Sequence, residues 1–260
     1  MNRKRIKTKT RLDFVYEEEY SQFREKYKYI SKYDYYGNKI EESIEKSDGS
    51  WKYKTFNKYD SSGKIIESSE IGLTEKKIIY EYDFNGNNVQ TLFYGYPDFC
   101  RPNKYLDNKF IYKYDSNGNM IQMLHYPRSN RDGSLLMEVT YKYDSNGNNV
   151  EASVYQYDRD SNKSLTNKSI YKYNSDGNKI KRSLYNSDGL FESNTIYKYN
   201  SDGNLIEESR YASDEKMITK IIYIYSENRL VEDMYYHTDN KFGEYQENPR
   251  SKTTYEYEEY

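Results

Sequence analysis

Cysteine is nearly absent from this chain. The single Cys100 cannot close an internal disulfide, so the covalent staple of small secreted scaffolds is excluded. Histidine is scarce too: His125 and His237 lie far apart, and Ser-His-Asp chemistry needs an oriented imidazole. Two histidines and one cysteine also argue against a zinc site. Long apolar runs are missing; the longest, Ile221 to Tyr225, is far below the roughly 20 residues of a spanning helix. Residues 1–16 hold no apolar segment of the signal-peptide kind. Ile, Leu, Val and Phe make up 46 of 260 residues, about 18 per cent, under the roughly 20 per cent that accompanies disorder in highly charged chains. An ordinary thick core is thereby excluded.

What replaces the aliphatics is tyrosine, present 35 times, a ring that buries surface while its hydroxyl stays hydrogen-bonded. Forty basic residues nearly balance 42 acidic ones, so repulsion does not forbid order. The expectation is a thin, ordered β protein with much exposed surface, soluble, and either cytoplasmic or exported by a non-classical route. Six basic residues and no acid lie between Met1 and Arg11, but the remainder is net acidic, which argues against a nucleic-acid groove. No membrane partner is expected.

An internal repeat dominates the chain. Aligned on one glycine, the copies read SKYDYYGNKI, NKYDSSGKII, YEYDFNGNNV, YKYDSNGNMI, YKYDSNGNNV, YKYNSDGNKI and YKYNSDGNLI, around Gly37, Gly63, Gly86, Gly118, Gly147, Gly177 and Gly203. An eighth copy, YIYSENRLV, lacks the glycine. Asp or Asn capping a turn, followed by Gly at positive φ, specifies a β-hairpin. With a three-residue loop, Tyr173 faces Lys179 and Lys172 faces Ile180; in the eighth copy a two-residue turn at Glu227-Asn228 sets Tyr225 against Leu230 and Ile224 against Val231.

Alternation then assigns two faces. One carries tyrosine pairs such as Tyr141 and Tyr143, with later tyrosines Tyr126, Tyr155, Tyr185 and Tyr211. The other carries a thin spine of Ile111, Ile170, Ile196 and Ile222 on first strands and Ile40, Ile66, Val89, Ile121, Val150, Ile180 and Ile206 on second strands, interleaved with Lys113, Lys142, Lys172 and Lys198. Second turns such as Ser187-Asp188-Gly189 return each hairpin to the next. The fold class expected is all-β: an antiparallel meander of about eight β-hairpin repeats forming one extended, twisted or spiralling sheet. Residues 1–29 are expected to be N-terminal edge strands, 30–236 the repeat array and 237–260 a C-terminal capping strand. Between Leu12 and Tyr27 a 3.6-residue period competes with alternation; strands are the preferred reading.

The recurring Tyr-x-Tyr-Asp-x-x-Gly-Asn unit, from Tyr33 to Val231, resembles the YD repeat of the RHS family. The resemblance implies a bacterial source, strips of sheet that spiral into shells or form binding regions, and a scaffold role. At this length the chain has room for a partial turn of such a shell.

Each candidate for chemistry has a plainer explanation. His125 occupies the position of Val154 and Leu184, so it reads as a lining residue. Cys100 has no activating histidine nearby. Asp158-x-Asp160-x-Asn162 copies the start of a calcium loop, but Lys163 and Ser169 stand where its Gly and Glu belong. Neighbouring carboxylates such as Glu41 and Glu42 point to opposite faces and cannot work as a glycosidase pair. No metal, cofactor or catalytic residue is expected.

The repeat spacing lengthens at three successive returns: Gly95 to Asn108, Pro127 to Ser134 and Gln156 to Asn167. They carry Tyr96, Phe99, Arg101, Arg128, Arg131, Tyr157 and Arg159, aromatic and arginine chemistry typical of binding hot spots. The function expected is a non-enzymatic scaffold presenting an extended β surface to a protein partner through this edge. The alternative is a lectin-like module that stacks tyrosines on a glycan, although such repeats rely on tryptophan and Trp51 stands alone.

Overall fold

A computed structural model describes residues 6–17, 22–72, 75–95, 105–128, 133–237 and 249–259. They form eighteen strands. The first six are β1 (Ile6–Glu17), β2 (Gln22–Tyr33), β3 (Lys39–Lys46), β4 (Trp51–Tyr59), β5 (Ile65–Ile71) and β6 (Lys76–Tyr82). Next come β7 (Asn88–Gly95), β8 (Tyr105–Tyr114), β9 (Met120–Pro127), β10 (Met137–Tyr143), β11 (Asn149–Tyr157) and β12 (Lys163–Tyr173). The last are β13 (Lys179–Asn186), β14 (Phe191–Tyr199), β15 (Leu205–Ala212), β16 (Met217–Ser226), β17 (Arg229–His237) and β18 (Ser251–Glu259). Residues 12–17 and 22–27 are strand, so alternation prevails there over the helical period.

The glycine turns have the expected chemistry. In the Asp144 turn, the Gly147 amide donates to the Asp144 carbonyl at 3.1 Å, and the Asp144 carboxylate accepts from the Asn146 and Asn148 amides at 2.9 and 2.8 Å. Gly147 sits at φ 80°, where a side chain is strained. The eighth turn dispenses with glycine by placing Glu227 and Asn228 at φ 51° and 60°.

Register departs from expectation one residue beyond each turn. Tyr173 does pair with Lys179, but Lys172 then pairs with Lys181, skipping Ile180. The same skip follows Tyr143–Asn149, where Lys142 meets Glu151, and Tyr33–Lys39, where Lys32 meets Glu41. In the eighth hairpin Tyr225 faces Leu230, as expected, but Ile224 faces Glu232. This bulge, additional to the glycine turn, flips every later residue of the second strand to the opposite face. The expected spine is therefore corrected: Ile40, Ile121 and Ile180 are bulge residues, 40%, 40% and 37% exposed. Tyr126 and Tyr185 face Lys109 and Lys168, and Tyr155 faces Glu138, on the lysine face. Ion pairs reward the observed register: Lys142–Glu151 at 2.8 Å, Lys198–Glu207 at 3.0 Å and Lys32–Glu41 at 3.1 Å.

On the tyrosine face, the tyrosine before each turn reaches back one hairpin. Tyr82, Tyr114, Tyr143 and Tyr173 donate their hydroxyls to the carbonyls of Ile65, Asn88, Met120 and Asn149, at 2.7 to 2.8 Å. Each carbonyl belongs to the second residue after the preceding turn glycine. One phenol thus joins neighbouring hairpins beyond the strand ladder, which explains why this position is tyrosine rather than phenylalanine.

The expectation of one extended, spiralling open sheet is overturned by the strand order. All eighteen strands belong to one antiparallel sheet in which β1 pairs with both β2 and β18, so the order closes on itself as a barrel. β1 is not an edge strand. Its alternating residues hydrogen-bond on both sides, and closure removes the open edges that invite further pairing. The ends of the chain build this seam: Tyr257 pairs with Lys9 and Tyr255 with Arg11, and the Tyr257 hydroxyl donates to the Leu230 carbonyl at 2.8 Å. β18 and β1 form a ninth hairpin without a connecting turn.

By internal packing the chain divides into two compact units. One comprises Met1–Lys58, Glu70–Leu73 and Thr195–Tyr260, and holds the seam. The other comprises Tyr59–Ser69 and Thr74–Asn194, and holds the long returns.

Candidate binding edge

Three structural facts shape the long-return edge of the second unit. The first is a close approach at Gly95, where an added Cβ would lie 2.4 Å from the Tyr105 ring. The second is Arg128, whose guanidinium stacks over Tyr105 at 4.0 Å and whose amide donates to the Asp107 carbonyl at 2.7 Å. The third corrects the return from Gln156 to Asn167, which is no long loop. β11 and β12 extend to Tyr157 and from Lys163, joined by a tight turn in which Ser161 takes the glycine's place at φ 64°.

Arg128 also borders a groove of about 540 Å³, lined by Leu106, Ile111, Tyr126 and Pro127 together with Asp107, Lys109 and Gly133. Beside it on the lysine face, Glu138 is only 5% exposed. It accepts hydrogen bonds from Gln122 at 2.7 Å and the Tyr157 hydroxyl at 2.5 Å, and pairs with Lys163 at 2.8 Å. Burial pushes its carboxyl up, but the hydrogen bonds from Lys163, Tyr157 and Gln122 outweigh burial and hold it below the usual range. A carboxylate so fully engaged is a structural anchor rather than a proton donor. On the opposite face at the same edge, His125 stacks on Phe110 at 4.4 Å and shares a 2.7 Å hydrogen bond with Asn108. Burial lowers its pKa, so the neutral imidazole packs there as a lining residue.

Of the residues singled out in the sequence, Arg128 enters the groove, Tyr157 is committed to Glu138, and Arg159 is exposed on the Asp158 turn. Tyr96, Phe99, Arg101 and Arg131 lie outside the described residues, as does Cys100. Sequence reasoning missed Lys109, Ile111, Tyr126 and Glu138. A signal for Glu138 was available: it occupies the repeat position held by Lys109 and Lys168, six residues before the turn Asp or Asn. Among the described residues no group of His, Cys, Asp or Glu could hold a metal ion, and no helix is long and apolar enough to cross a membrane.

No family model matches the chain, and no curated protein matches it. The expected membership of the YD-repeat, RHS-like scaffolds is therefore unsupported, and the closed strand order conflicts with an open hairpin scaffold. Among solved structures, a porin-like protein from Bacteroides uniformis is 10% identical, with 97% of this chain and 96% of that one covered at a TM-score of 0.47. A porin-like protein from Bacteroides vulgatus is 13% identical, over 86% of this chain and 100% of that one, at 0.36. The Photorhabdus luminescens Tc holotoxin pore is 15% identical over 82% of this chain, at 0.34, and this chain spans 14% of its length.

Proposed function

We propose that this protein is a non-enzymatic binding barrel that engages a protein partner at the long-return edge of its second unit. The observation that carries the reading is the groove. Apolar walls from Leu106, Ile111, Tyr126 and Pro127 lie between the charged groups Lys109 and Arg128, and this combination suits a partner's apolar side chain flanked by polar ones. Arg128 is held in place by Tyr105, so little side-chain freedom is lost on binding. Affinity capture from the source organism tests it. Arg128→Glu and Tyr126→Ala should each reduce recovery of the partner at least tenfold, while Asn117→Ala on the glycine-turn edge should not; unchanged recovery with both groove variants would refute the assignment.

The same reading makes the barrel water-soluble. An outer-membrane barrel needs an outward apolar band on one face. Here one described face sets Lys, Glu and Ser among Ile, Leu and Tyr, and the other mixes tyrosine with Ser, Thr, Glu42, Arg182 and Asp233. The protein should stay in the aqueous phase on detergent phase separation.

A glycan-binding reading draws on Tyr35 and Tyr36. Their rings meet edge to face at 5.7 Å on the first glycine turn and are 67% and 82% exposed. Elution of captured material by free sugar, lost in Tyr36→Ala, would favour it.

A further inference from the structure

We propose that the lysine face of the β12–β13 hairpin is a docking site for an acidic segment of a protein partner. The inference rests on the protein-binding reading above and adds the partner's chemistry. In the hairpins with turns at Asp34, Asp144 and Asn200, the lysine two residues before that turn residue pairs across the strands with a glutamate: Lys32–Glu41, Lys142–Glu151 and Lys198–Glu207. The position opposite is glutamine in two further hairpins, Gln90 and Gln122. In β12–β13 the same position is Lys181, directly opposite Lys172.

Like charges facing one another at the roughly 5 Å of a cross-strand pair destabilise a sheet, so this hairpin lacks a stabilising contact that its neighbours have. Nothing inside the hairpin compensates. Residues 163–186 contain six basic side chains and one acid, Asp176, in a chain whose net charge is −2. Among the described residues, Lys168, Lys172 and Lys181 have no ion pair, whereas Lys163 is tied to Glu138 and Lys179 lies over the Tyr171 ring on the other face. Lys168 faces Tyr185 across β13 and Ser153 across β11, and the one carboxylate that bears on it is Glu151, diagonally across on β11 and already ion-paired with Lys142.

The spacing names the occupant. One partner carboxylate can bridge the Lys172 and Lys181 ammoniums. Lys168 lies four residues along the strand, about 13 Å away, the separation of residues i and i+4 in an extended peptide. The patch is also narrow. Glu151 occupies the corresponding row on β11, and Glu138 takes the place of Lys168 on β10. A phosphodiester chain running across the strands would meet both carboxylates, whereas a short acidic peptide lying along one hairpin would pass only Glu151, whose charge Lys142 already neutralises.

The test uses the full chain and a fluorescein-labelled peptide with glutamates at i and i+4, read by anisotropy at 50 and 300 mM salt. Lys181→Glu installs the pair that neighbouring hairpins already contain, so its thermal midpoint should equal or exceed that of the parent while its affinity for the peptide falls at least tenfold. Lys168→Gln should weaken binding about threefold. A glutamine-for-glutamate peptide should not bind. If Lys181→Glu melts lower, the double variant Lys172→Gln with Lys181→Gln decides by the same affinity criterion. Binding within twofold of the parent in the deciding variant overturns the proposal, as does an oligonucleotide or sulfated oligosaccharide of equal charge that displaces the peptide at tenfold lower concentration. Loss of native partner capture by Arg128→Glu but not by Lys181→Glu would remove this inference and leave the groove assignment standing.

Discussion

The second unit's hairpins and the seam in the first solve one problem with different chemistry. Between hairpins, neutral phenols cross to backbone carbonyls, as Tyr143 does to Met120. At the seam, β1 presents Lys9 and Arg11 against Tyr257, Tyr255 and Tyr29. Lys9 stands 4.6 Å from the Tyr255 ring and 5.3 Å from Tyr257; Arg11 covers Tyr29 at 3.8 Å and forms a 2.9 Å ion pair with Asp13. Cations above the phenolic rings add to the bond that Tyr257 makes to the Leu230 carbonyl, at roughly 0.5–1 kcal/mol for each partly exposed contact. The seam therefore shares the phenol-to-carbonyl bond of the other joints and adds two cations of one strand, Lys9 and Arg11, over its rings.

Alkali should have the largest effect, and it should act on the seam as well as on the interior, because burial also raises the pKa of Tyr255, Tyr257 and Tyr29. Burial raises the pKa of Tyr80, Tyr114, Tyr141 and Tyr223, the last to about 12. An unfolded tyrosine ionises near 10. A folded value above the unfolded one means that this contribution is complete below pH 10 and is lost as pH rises from 10 towards 12. Exposed tyrosines such as Tyr35 and Tyr36 should ionise near 10 with the sheet intact, and the remaining tyrosinate absorbance should appear together with loss of β circular dichroism; complete tyrosine ionisation with the sheet intact would disprove the coupling.

Smaller effects separate individual joints. Gly147→Val should cost about 1–2 kcal/mol in chemical denaturation, because the residue sits at φ 80°, while Glu227→Ala in the glycine-free turn should cost much less. Tyr143→Phe removes one phenol-to-carbonyl bond and should cost about 1 kcal/mol. Arg11→Met should cost a similar roughly 1 kcal/mol at low salt and less at 1 M salt, whereas the Tyr143→Phe loss should not depend on salt. Equal salt dependence in the two variants would erase the distinction between seam and interior.

Asp233→Asn should have the smallest effect. Burial raises the Asp233 pKa, although the Tyr255 hydroxyl donates to the carboxylate at 2.7 Å. Folding therefore favours its protonated form, and its ionisation opposes folding increasingly as pH rises from the unfolded value, the loss being complete above the folded value. Asparagine should raise the thermal midpoint slightly at pH 7 and leave it unchanged below the unfolded aspartate's value near 4.

Turns were legible in the sequence because their chemistry is local: Asp144, Asn148 and Gly147 specify that geometry within five residues. The bulge beyond each turn was not, since Val150 reads as a spine residue until the pairing of Lys142 with Glu151 is seen. Closure was illegible for another reason. It joins residues nearly the whole chain apart, and alternation in β1 looks the same whether one flank is paired or two. At the candidate edge, Arg128 could be found because it lies in a return. Ile111 and Tyr126 belong to strands, and only the register correction turns Tyr126 toward Lys109.

The seam has a consequence for the chain's linear order. Ile6 and Glu259 are paired, so the first and last strands leave the sheet side by side, on the edge that carries the glycine turns. Joining these ends with a short linker and cutting the backbone at an exposed turn, such as the one at Ser187-Asp188, should give a circularly permuted protein with the same strand pairing. By the same geometry, the domain could be spliced into a loop of another protein with its entry and exit points a strand's width apart.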